Sequence, residues 1–329
     1  MKTLIDRVVF SDRDDYDCTY TMLDTMLQSS GYNATQILHD EWCFVYQKAD
    51  GPCPHIFAKC TSVKDNLANY GICVEQRQTS STDEAWDRVR VLIDKGQPVP
   101  AAADTYYLER YYYPGYGRHT SHYVILCGYD EQEQTVWIVD PSPWKRFKGA
   151  LPWEGFKRAW GTSYISPNTW LEFSFPLSPP QPNRTAIENI LRRNLNLMSL
   201  QGDDATGSLF GIEGIRALAT DLINWAQDPC DSRKKMGQAF DHLRQVVTER
   251  RGHAEFLAFA AIQLENRELA DLSGELEDIA RNWVVTRNIF FKGKKRDPSA
   301  VILRIQRRLL EIAHREEKAL FSLRKMLGL

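Results

Sequence analysis

The feature that most constrains this sequence is a pair of β-rich segments joined by a short polar turn within residues 118–141. Residues 121–130 and 135–140 are rich in β-branched and aromatic side chains, and the four residues between them are all Glu or Gln. Short runs of this composition on either side of a polar turn are typical of paired antiparallel strands. The sequence therefore predicts a β-hairpin.

The register of this hairpin decides which polar side chains meet. We expect Tyr129 to pair with Thr135 across the turn. In that register Asp140 faces Val124, and His122 lies diagonally across from Asp140 on the same face, because side chains alternate along a strand. An imidazole and a carboxylate would then meet, as the base and its orienting partner do in a nucleophilic triad. The alternative is an ordinary hairpin with a histidine at its rim.

Cys18 opens a predicted amphipathic helix. Asp17 precedes it as a suitable N-cap and Gly31 follows as a suitable stop. A cysteine in the first helical turn is a candidate nucleophile, because the helix dipole and the unpaired N–H groups stabilise a thiolate. The alternative is a small buried cysteine that only fills space. The apolar stripe of this helix consists of Met22, Leu23, Met26 and Leu27.

The 329 residues are enough for two domains with cores of their own. Four prolines between residues 176 and 182 mark a boundary, so we expect an α+β domain over residues 1–180 and an all-α domain over residues 181–329. In the second domain, residues 185–188 read as a capping box. Long helical patterns follow near residues 212–226, 232–250, 254–265, 268–290 and 299–327.

Charge and cysteine usage exclude several classes of protein. The formal net charge of −2 argues against a general nucleic-acid binder. Seven cysteines without dense, even spacing indicate reduced thiols and a cytoplasmic protein. The spacing of Cys53, His55 and Cys60 fits no common zinc pattern, so we expect no metal. No apolar leader or membrane-spanning run is present, so we expect no membrane partner.

The order and context of Cys18, His122 and Asp140 resemble those of papain-like cysteine enzymes. Over roughly residues 8–175 the chain resembles the N-terminal domain of the butirosin-biosynthesis protein H acyltransferase family, with a looser likeness to bacteriocin-processing cysteine peptidases. The helical half resembles the C-terminal domain often attached in that family. The likeness is carried by residues 17–18, 31–32, 104–108, 119–130 and 139–141, and in the helical half by residues 252–257 and 279–283.

The resemblance implies a papain-like domain with an antiparallel sheet, and acyl transfer from a carrier-protein thioester to an amine in a natural-product pathway. Cys18 would carry the acyl group, His122 would be the base and Asp140 would hold the His122 tautomer. The implied partners are an acyl or peptidyl carrier protein, which bears the phosphopantetheine thioester, and a small-molecule amine. The protein itself would need no cofactor.

The sequence departs from papain-like enzymes at one point, since residues 8–17 contain no glutamine to bind the oxyanion. The Cys18 backbone N–H, with Tyr16, would have to serve instead. Water as the acceptor would make the protein a cysteine peptidase or thioesterase, and an inert Cys18 would make it a non-catalytic carrier-binding module.

An aromatic segment that includes Tyr106 and Tyr107 precedes the hairpin and could line an acceptor pocket, or simply pack on itself. Asp104, just before it, could bind a cationic amine. His119 is a rival to His122 as the base, although His122 is preferred because it lies within the predicted strand.

Basic residues concentrate in the helical half. Residues 1–180 contain 17 basic and 23 acidic residues, a net charge of −6, and the remainder carries +4. Residues 292–296 form the densest basic cluster and are predicted to lie in a turn between two helices. We expect this cluster to attract an acidic carrier protein, although such clusters also occur as plain solvated helix surface.

Overall fold

The computed structural model describes residues 2–48, 54–112, 117–162, 166–177, 183–200, 202, 207–225, 229–295 and 298–329. The strands are β1 (Lys2–Leu4), β2 (Val45–Gln47), β3 (His55–Phe57), β4 (Cys73–Gln78), β5 (Val99–Asp104), β6 (Ser121–Asp130), β7 (Thr135–Asp140), β8 (Phe147–Pro152), β9 (Thr169–Ser174) and β10 (Ser208–Phe210). The helices are α1 (Cys18–Ser29), α2 (Ala34–Leu38), α3 (Val63–Asn69), α4 (Thr82–Asp94), α5 (Thr105–Leu108), α6 (Trp153–Gly161), α7 (Arg184–Ser199), α8 (Gly211–Trp225), α9 (Pro229–Leu264), α10 (Arg267–Lys295) and α11 (Ser299–Met326).

The chain divides into two compact units. The first contains residues 1–34 and 64–180, and the second contains residues 35–63 and 181–329. The predicted boundary at residue 180 coincides with one of these breaks. The structure differs from the prediction over residues 35–63, which belong to the helical unit.

The first unit is built around an antiparallel sheet with strand order β4-β9-β5-β6-β7-β8, and β1 also pairs with β6. All six residues of β5 are buried, as expected of a central strand. Helices α4 and α6 also belong to this unit. The α+β class with an antiparallel sheet is therefore confirmed for this part of the chain.

The hairpin forms from β6 and β7, but its register at the turn is not the predicted one. Thr135 pairs with Asp130 instead of Tyr129, so the strands start one residue out of the expected pairing. A β-bulge between Leu126 and Gly128 then takes up the extra residue. Beyond the bulge the strands return to the predicted register.

Gly128, which borders this bulge, also allows a further strand to approach β6. A Cβ atom there would lie 2.4 Å from the carbonyl oxygen of Thr3, so only glycine allows β1 to approach β6 this closely. The glycine therefore permits β1 to extend the sheet beside the end of β6 that β5 does not cover.

The second unit packs α7 to α11 together with a three-stranded sheet of order β10-β2-β3. Two predicted helices, 232–250 and 254–265, are one helix, α9, of 36 residues. Gly252 lies within α9 and does not end it: a Cβ atom there would lie 2.1 Å from Cγ of the His39 ring. The cap of α7 also differs, since Asn183 and not Thr185 accepts the hydrogen bond from the helix N-terminus.

Residues 35–63 belong to the helical unit because their large apolar side chains form part of its core. Trp42, Phe44 and Tyr46 are buried among the side chains of the long helices. The Trp42 indole also donates to the Glu316 carboxylate at 3.2 Å. These partners are more than 130 residues away along the chain, so no local pattern could assign this segment.

One expectation about the cysteines was wrong. Cys43 and Cys60, which we expected to be reduced, form a disulfide with Cα atoms 6.4 Å apart. The pairing arises because β2 and β3 are antiparallel neighbours and bring the two flanking cysteines together. Cys53 lies outside the described residues. None of the helices seen in the described part of the chain has the length and apolarity needed to cross a membrane.

Candidate active site

Cys18 is the first residue of α1, as predicted. The Asp17 side chain caps the helix by accepting from the backbone N–H of Tyr20 at 2.9 Å, and Gly31, with φ of +81°, follows its C-terminus. Residues 20–27 of this helix are buried, whereas Cys18 itself is partly exposed. The helix therefore fixes the backbone of Cys18 while its thiol stays accessible.

The start of α1 also presents backbone donors. Helix geometry gives the N–H groups of Cys18 and Thr19 no partner within the helix. The hydrogen bonds found among the described residues do not use these two groups either. Two N–H groups beside the thiol are thus available to an anion.

His122 and Asp140 meet as the predicted register requires. Ile125 pairs with Val139, so one position further along Asp140 comes alongside Val124. The His122 Nε2 atom lies 2.9 Å from each carboxylate oxygen of Asp140, and both side chains are buried. Because Nε2 faces Asp140, the Nδ1 atom is the nitrogen left for another partner.

Asp140 has two further donors, which the sequence did not lead us to expect. The Tyr112 hydroxyl donates to Oδ2 at 3.1 Å, and the backbone N–H of Ser142 donates to Oδ1 at 3.0 Å. The Ser142 bond spans two residues, a common arrangement after Asp that could have been predicted locally. The Tyr112 bond joins distant residues and gives no local signal. Together they hold the carboxylate in place against His122.

The environment of His122 favours its protonated form. Burial lowers the pKa of this imidazole, but the Asp140 carboxylate and a hydrogen bond with the Cys18 side chain raise it more. The net effect raises the pKa of His122 to about 10 from an ordinary value of 6.5. Cys18, His122 and Asp140 thus form one electrostatically coupled group.

A second histidine–carboxylate pair lies close by. The Nδ1 atom of His119 is 2.7 Å from Oδ2 of Asp104, and the other oxygen of Asp104 accepts from the backbone N–H of Tyr106. The ring of Tyr106 stacks on His119 with centroids 4.3 Å apart, and Tyr107 meets it edge-on. Sequence analysis named all four residues but not this pairing. Tyr113 and Tyr116, from the same aromatic segment, lie outside the described residues.

Tyr16 is buried, unlike a typical substrate-binding side chain. Its ring packs edge-on against Tyr20 and beneath the guanidinium of Arg13. This packing positions the loop that leads into Cys18. A role for Tyr16 in oxyanion binding remains a prediction.

The other described cysteines are poor nucleophiles. Cys127 is buried, and burial raises the pKa of its thiol to about 12. Cys43 and Cys60 are joined to each other. Cys73 is exposed on β4, away from any capped helix start. Among the described cysteines Cys18 alone combines access, a helix N-terminus and a histidine partner.

Fold and site together define the class: an α+β protein in which a helix-start cysteine is coupled to a histidine–aspartate pair on neighbouring strands. Residues 17–141 match the family model for butirosin biosynthesis protein H, N-terminal, which confirms the predicted resemblance. Residues 165–323 match a second model, described as a domain of unknown function (DUF4872). No curated protein matches the chain.

Proposed function

We propose that this protein is a cysteine-dependent acyltransferase with a papain-like first domain. It would move an acyl group from a carrier-protein thioester, through an acyl-Cys18 intermediate, to an amine. The observation that carries this proposal is the coupled group formed by Cys18, His122 and Asp140, with the His122 Nε2 atom 2.9 Å from the carboxylate. The family match supports a place in antibiotic biosynthesis.

In the loading step, the Cys18 sulfur attacks the thioester carbonyl. The protonated His122 lies beside this sulfur and gives its proton to the departing pantetheine sulfur. Thioester exchange creates one C–S bond and breaks another, so the acyl-enzyme forms at little thermodynamic cost. Asp140 keeps the His122 ring oriented throughout, helped by Tyr112 and Ser142.

The oxyanion formed in this step needs donors, and no glutamine precedes Cys18. The N–H groups of Cys18 and Thr19 supply them in this proposal, together with the positive end of the α1 dipole. This arrangement depends on the Asp17 cap, because the cap satisfies the Tyr20 N–H and leaves the first two N–H groups for the substrate.

In the transfer step, an amine attacks the acyl-Cys18 carbonyl, the C–N bond forms and the C–S bond breaks. His122, neutral after loading, accepts a proton from the attacking nitrogen, and the Cys18 thiolate leaves. If water took the place of the amine, the protein would be a thioesterase or peptidase. Product analysis separates these outcomes, since only transfer yields an amide.

The first test is intact-mass analysis of the full chain after incubation with pantetheine thioesters carrying a panel of short acyl and aminoacyl groups. We expect a single acyl adduct on the wild-type protein and none on Cys18→Ala, with Cys127→Ala as the matched control that still loads. An adduct that survives in Cys18→Ala would disprove the assignment, and failure of every thioester to load would favour a non-catalytic carrier-binding module.

The second test asks whether the three residues act as a unit. Groups that act together are non-additive, so His122→Ala and Cys18→Ala should reduce turnover about equally and the double variant should be little worse. Asp140→Asn should keep the fold and lose rate. Near-normal turnover in His122→Ala would transfer the role of base to His119.

A further inference from the structure

The His119–Asp104 pair is arranged as a general base and its orienting carboxylate. It is separate from the His122–Asp140 pair, which interacts with Cys18. Asp104 is buried at the end of β5, and its carboxylate accepts from His119 Nδ1 at 2.7 Å. His119 is about half exposed, with 52% of its side-chain surface accessible. A buried carboxylate that orients a solvent-facing imidazole is the arrangement expected of a general base.

The tautomer of His119 follows from this contact. Because Nδ1–H donates to Asp104, Nε2 carries the lone pair of the neutral ring. Stacking on Tyr106 at a centroid distance of 4.3 Å holds the ring plane in place. Within the part of the chain that the structure describes, no hydrogen bond uses His119 Nε2. The lone pair is therefore free to meet a substrate.

Both pairs lie at the same end of β6. His119 precedes His122 by three residues, which limits the separation of their Cα atoms to about 10 Å. The connecting residues are anchored, since Thr105 donates from its backbone N–H to Thr120 and from its hydroxyl to the Arg118 carbonyl. On the adjacent strand, Asp104 pairs with Ser121. The two pairs therefore lie at the same end of the sheet, and the exposed ring of His119 faces solvent there.

The proton count of amide formation leaves a role for a second base. An alkylammonium ion must lose two protons to become an amide nitrogen. His122 gives one proton to the leaving pantetheine sulfur during loading, so it can take only one back during transfer. The other proton leaves before the amine can attack, because a protonated amine has no lone pair.

We propose that His119, oriented by Asp104, takes this first proton and makes His119–Asp104 the acceptor-activating site for an alkylammonium substrate. This inference rests on the proposed acyltransferase function. His119 Nε2 accepts a proton from R–NH3+ and passes it to solvent. The neutral amine then forms the C–N bond, the Cys18–acyl C–S bond breaks, and the second nitrogen proton goes to His122. One proton per amide is released overall, which balances the reaction of a thioester with an ammonium ion.

The experiment compares two nucleophiles on the isolated acyl-enzyme of the full chain. Ethylamine is an ammonium ion at pH 7, whereas hydroxylamine is largely neutral and needs no first deprotonation. Wild type, His119→Ala and the control His314→Ala, an exposed histidine on α11, are loaded with the thioester that acylates wild type. Loss of the acyl adduct is then followed by intact mass.

We expect all three proteins to load equally. His119→Ala should lose its acyl group to ethylamine about a hundredfold or more slowly, the usual size of a general-base effect, while its reaction with hydroxylamine is unchanged. Asp104→Asn keeps the cap on Tyr106 but not the charge, and should show a smaller selective loss with ethylamine.

Two results would overturn the inference. An equal loss with both nucleophiles would assign His119 to packing or to acceptor binding, and unchanged rates with both would leave it no role. Either result leaves the acyltransferase proposal intact, because loading is measured separately. Failure of the wild type to load would count against the proposed function and against this inference with it.

Discussion

At the scale of single residues, the protonated state of His122 links the site to stability. The folded chain binds this proton more tightly than the unfolded chain, because the pKa of His122 is raised to about 10 despite its burial. The resulting stabilisation is complete below about pH 6.5 and declines as the pH rises towards 10. Asp140 is the largest of the groups that raise this pKa.

We therefore predict that Asp140→Asn destabilises the protein most at low pH. The difference in the free energy of unfolding between wild type and variant should shrink by up to about 1.4 kcal/mol per pH unit as the pH rises above the ordinary value for His. Urea denaturation at several pH values between 6 and 9 measures it, with the exposed Asp87→Asn as the control. A difference that stays constant over this range would mean that His122 is neutral in the folded chain.

A second group of buried charges holds residues 35–63 in the helical unit. Arg250 is fully buried and donates to both oxygens of Glu316 and to the Cys43 carbonyl, at 2.8–2.9 Å. The indoles of Trp42 and Trp283 donate to the same carboxylate. Each carboxylate oxygen of Glu316 thus accepts hydrogen bonds from two donors, which offsets the cost of burying this charge.

Arg250→Met should destabilise the protein by about 3–5 kcal/mol, because the Glu316 charge would stay buried without its counter-ion. Arg216→Met is the matched control: Arg216 forms an ion pair with Glu317 that is about half exposed, and its loss should cost about 1 kcal/mol or less. Urea denaturation followed by circular dichroism measures both. Equal, small losses would show that the Arg250 contacts contribute little.

The sequence allowed part of the site to be predicted because that part depends on local rules. Capping of α1 by Asp17 and the meeting of His122 with Asp140 follow from helix-start chemistry and strand alternation. The contact of Tyr112 with Asp140 does not, because the two residues are 28 positions apart and Tyr112 lies outside the strands that the pattern predicts. The pairing of His119 with Asp104 likewise depends on which strands are neighbours in the sheet, which no local pattern fixes.

At the scale of elements, long-range packing explains where the predictions failed. Gly252 looks like a helix break in sequence, but it is the point where α9 makes room for the His39 ring. His39 in turn bonds Glu249 at 2.9 Å, and the carbonyl of His39 lies 2.9 Å from His253 Nδ1. A glycine that permits close approach has the same local signature as one that ends a helix.

The basic cluster at residues 292–296 also differs from its predicted setting. Lys292, Lys294 and Lys295 are exposed in the last turn of α10 and not in a turn between helices, while Arg296 lies outside the described residues. Lysines at this position stabilise a helix through its dipole. A structural role therefore accounts for part of this cluster, and any role in docking needs a separate test.

We predict that reversing Lys294, Lys295 and Arg296 to Glu slows acyl loading from a carrier protein by about tenfold or more at low ionic strength, because charge steers association. Loading from a small pantetheine thioester should not change. The control reverses Lys318, Arg324 and Lys325 on α11, which are also exposed. Equal loading from the carrier in both triple variants would exclude the α10 cluster as the docking surface.

At the scale of the whole molecule, each of the two family regions contributes residues to both compact units. The region at residues 17–141 contains residues 35–63, which lie in the helical unit. The region at residues 165–323 contains β9, which pairs with β4 and β5 in the sheet of the first unit. Neither region therefore coincides with a compact unit.

A fragment of residues 1–180 should consequently fail to fold as a well-packed domain. It would expose the apolar side chains of residues 35–63 that belong to the helical core. We expect aggregation or strong binding of a hydrophobic dye, relieved by co-expression with residues 181–329. Size-exclusion chromatography and dye fluorescence measure this. A monomeric 1–180 fragment with a sharp unfolding transition would contradict the prediction.

The hydrogen bond between Trp42 and Glu316 spans 274 residues, which has a consequence for the nascent chain. At a synthesis rate of about 5–20 residues per second, the ribosome makes these two partners roughly 14–55 s apart. Throughout that interval the core that surrounds Trp42 is incomplete, because its members extend from Ile187 to the last helix. Folding of the first unit is also delayed, because β9 lies between β4 and β5 in its sheet and is synthesised after both of them. Translation of the last helix thus determines when this protein can finish folding.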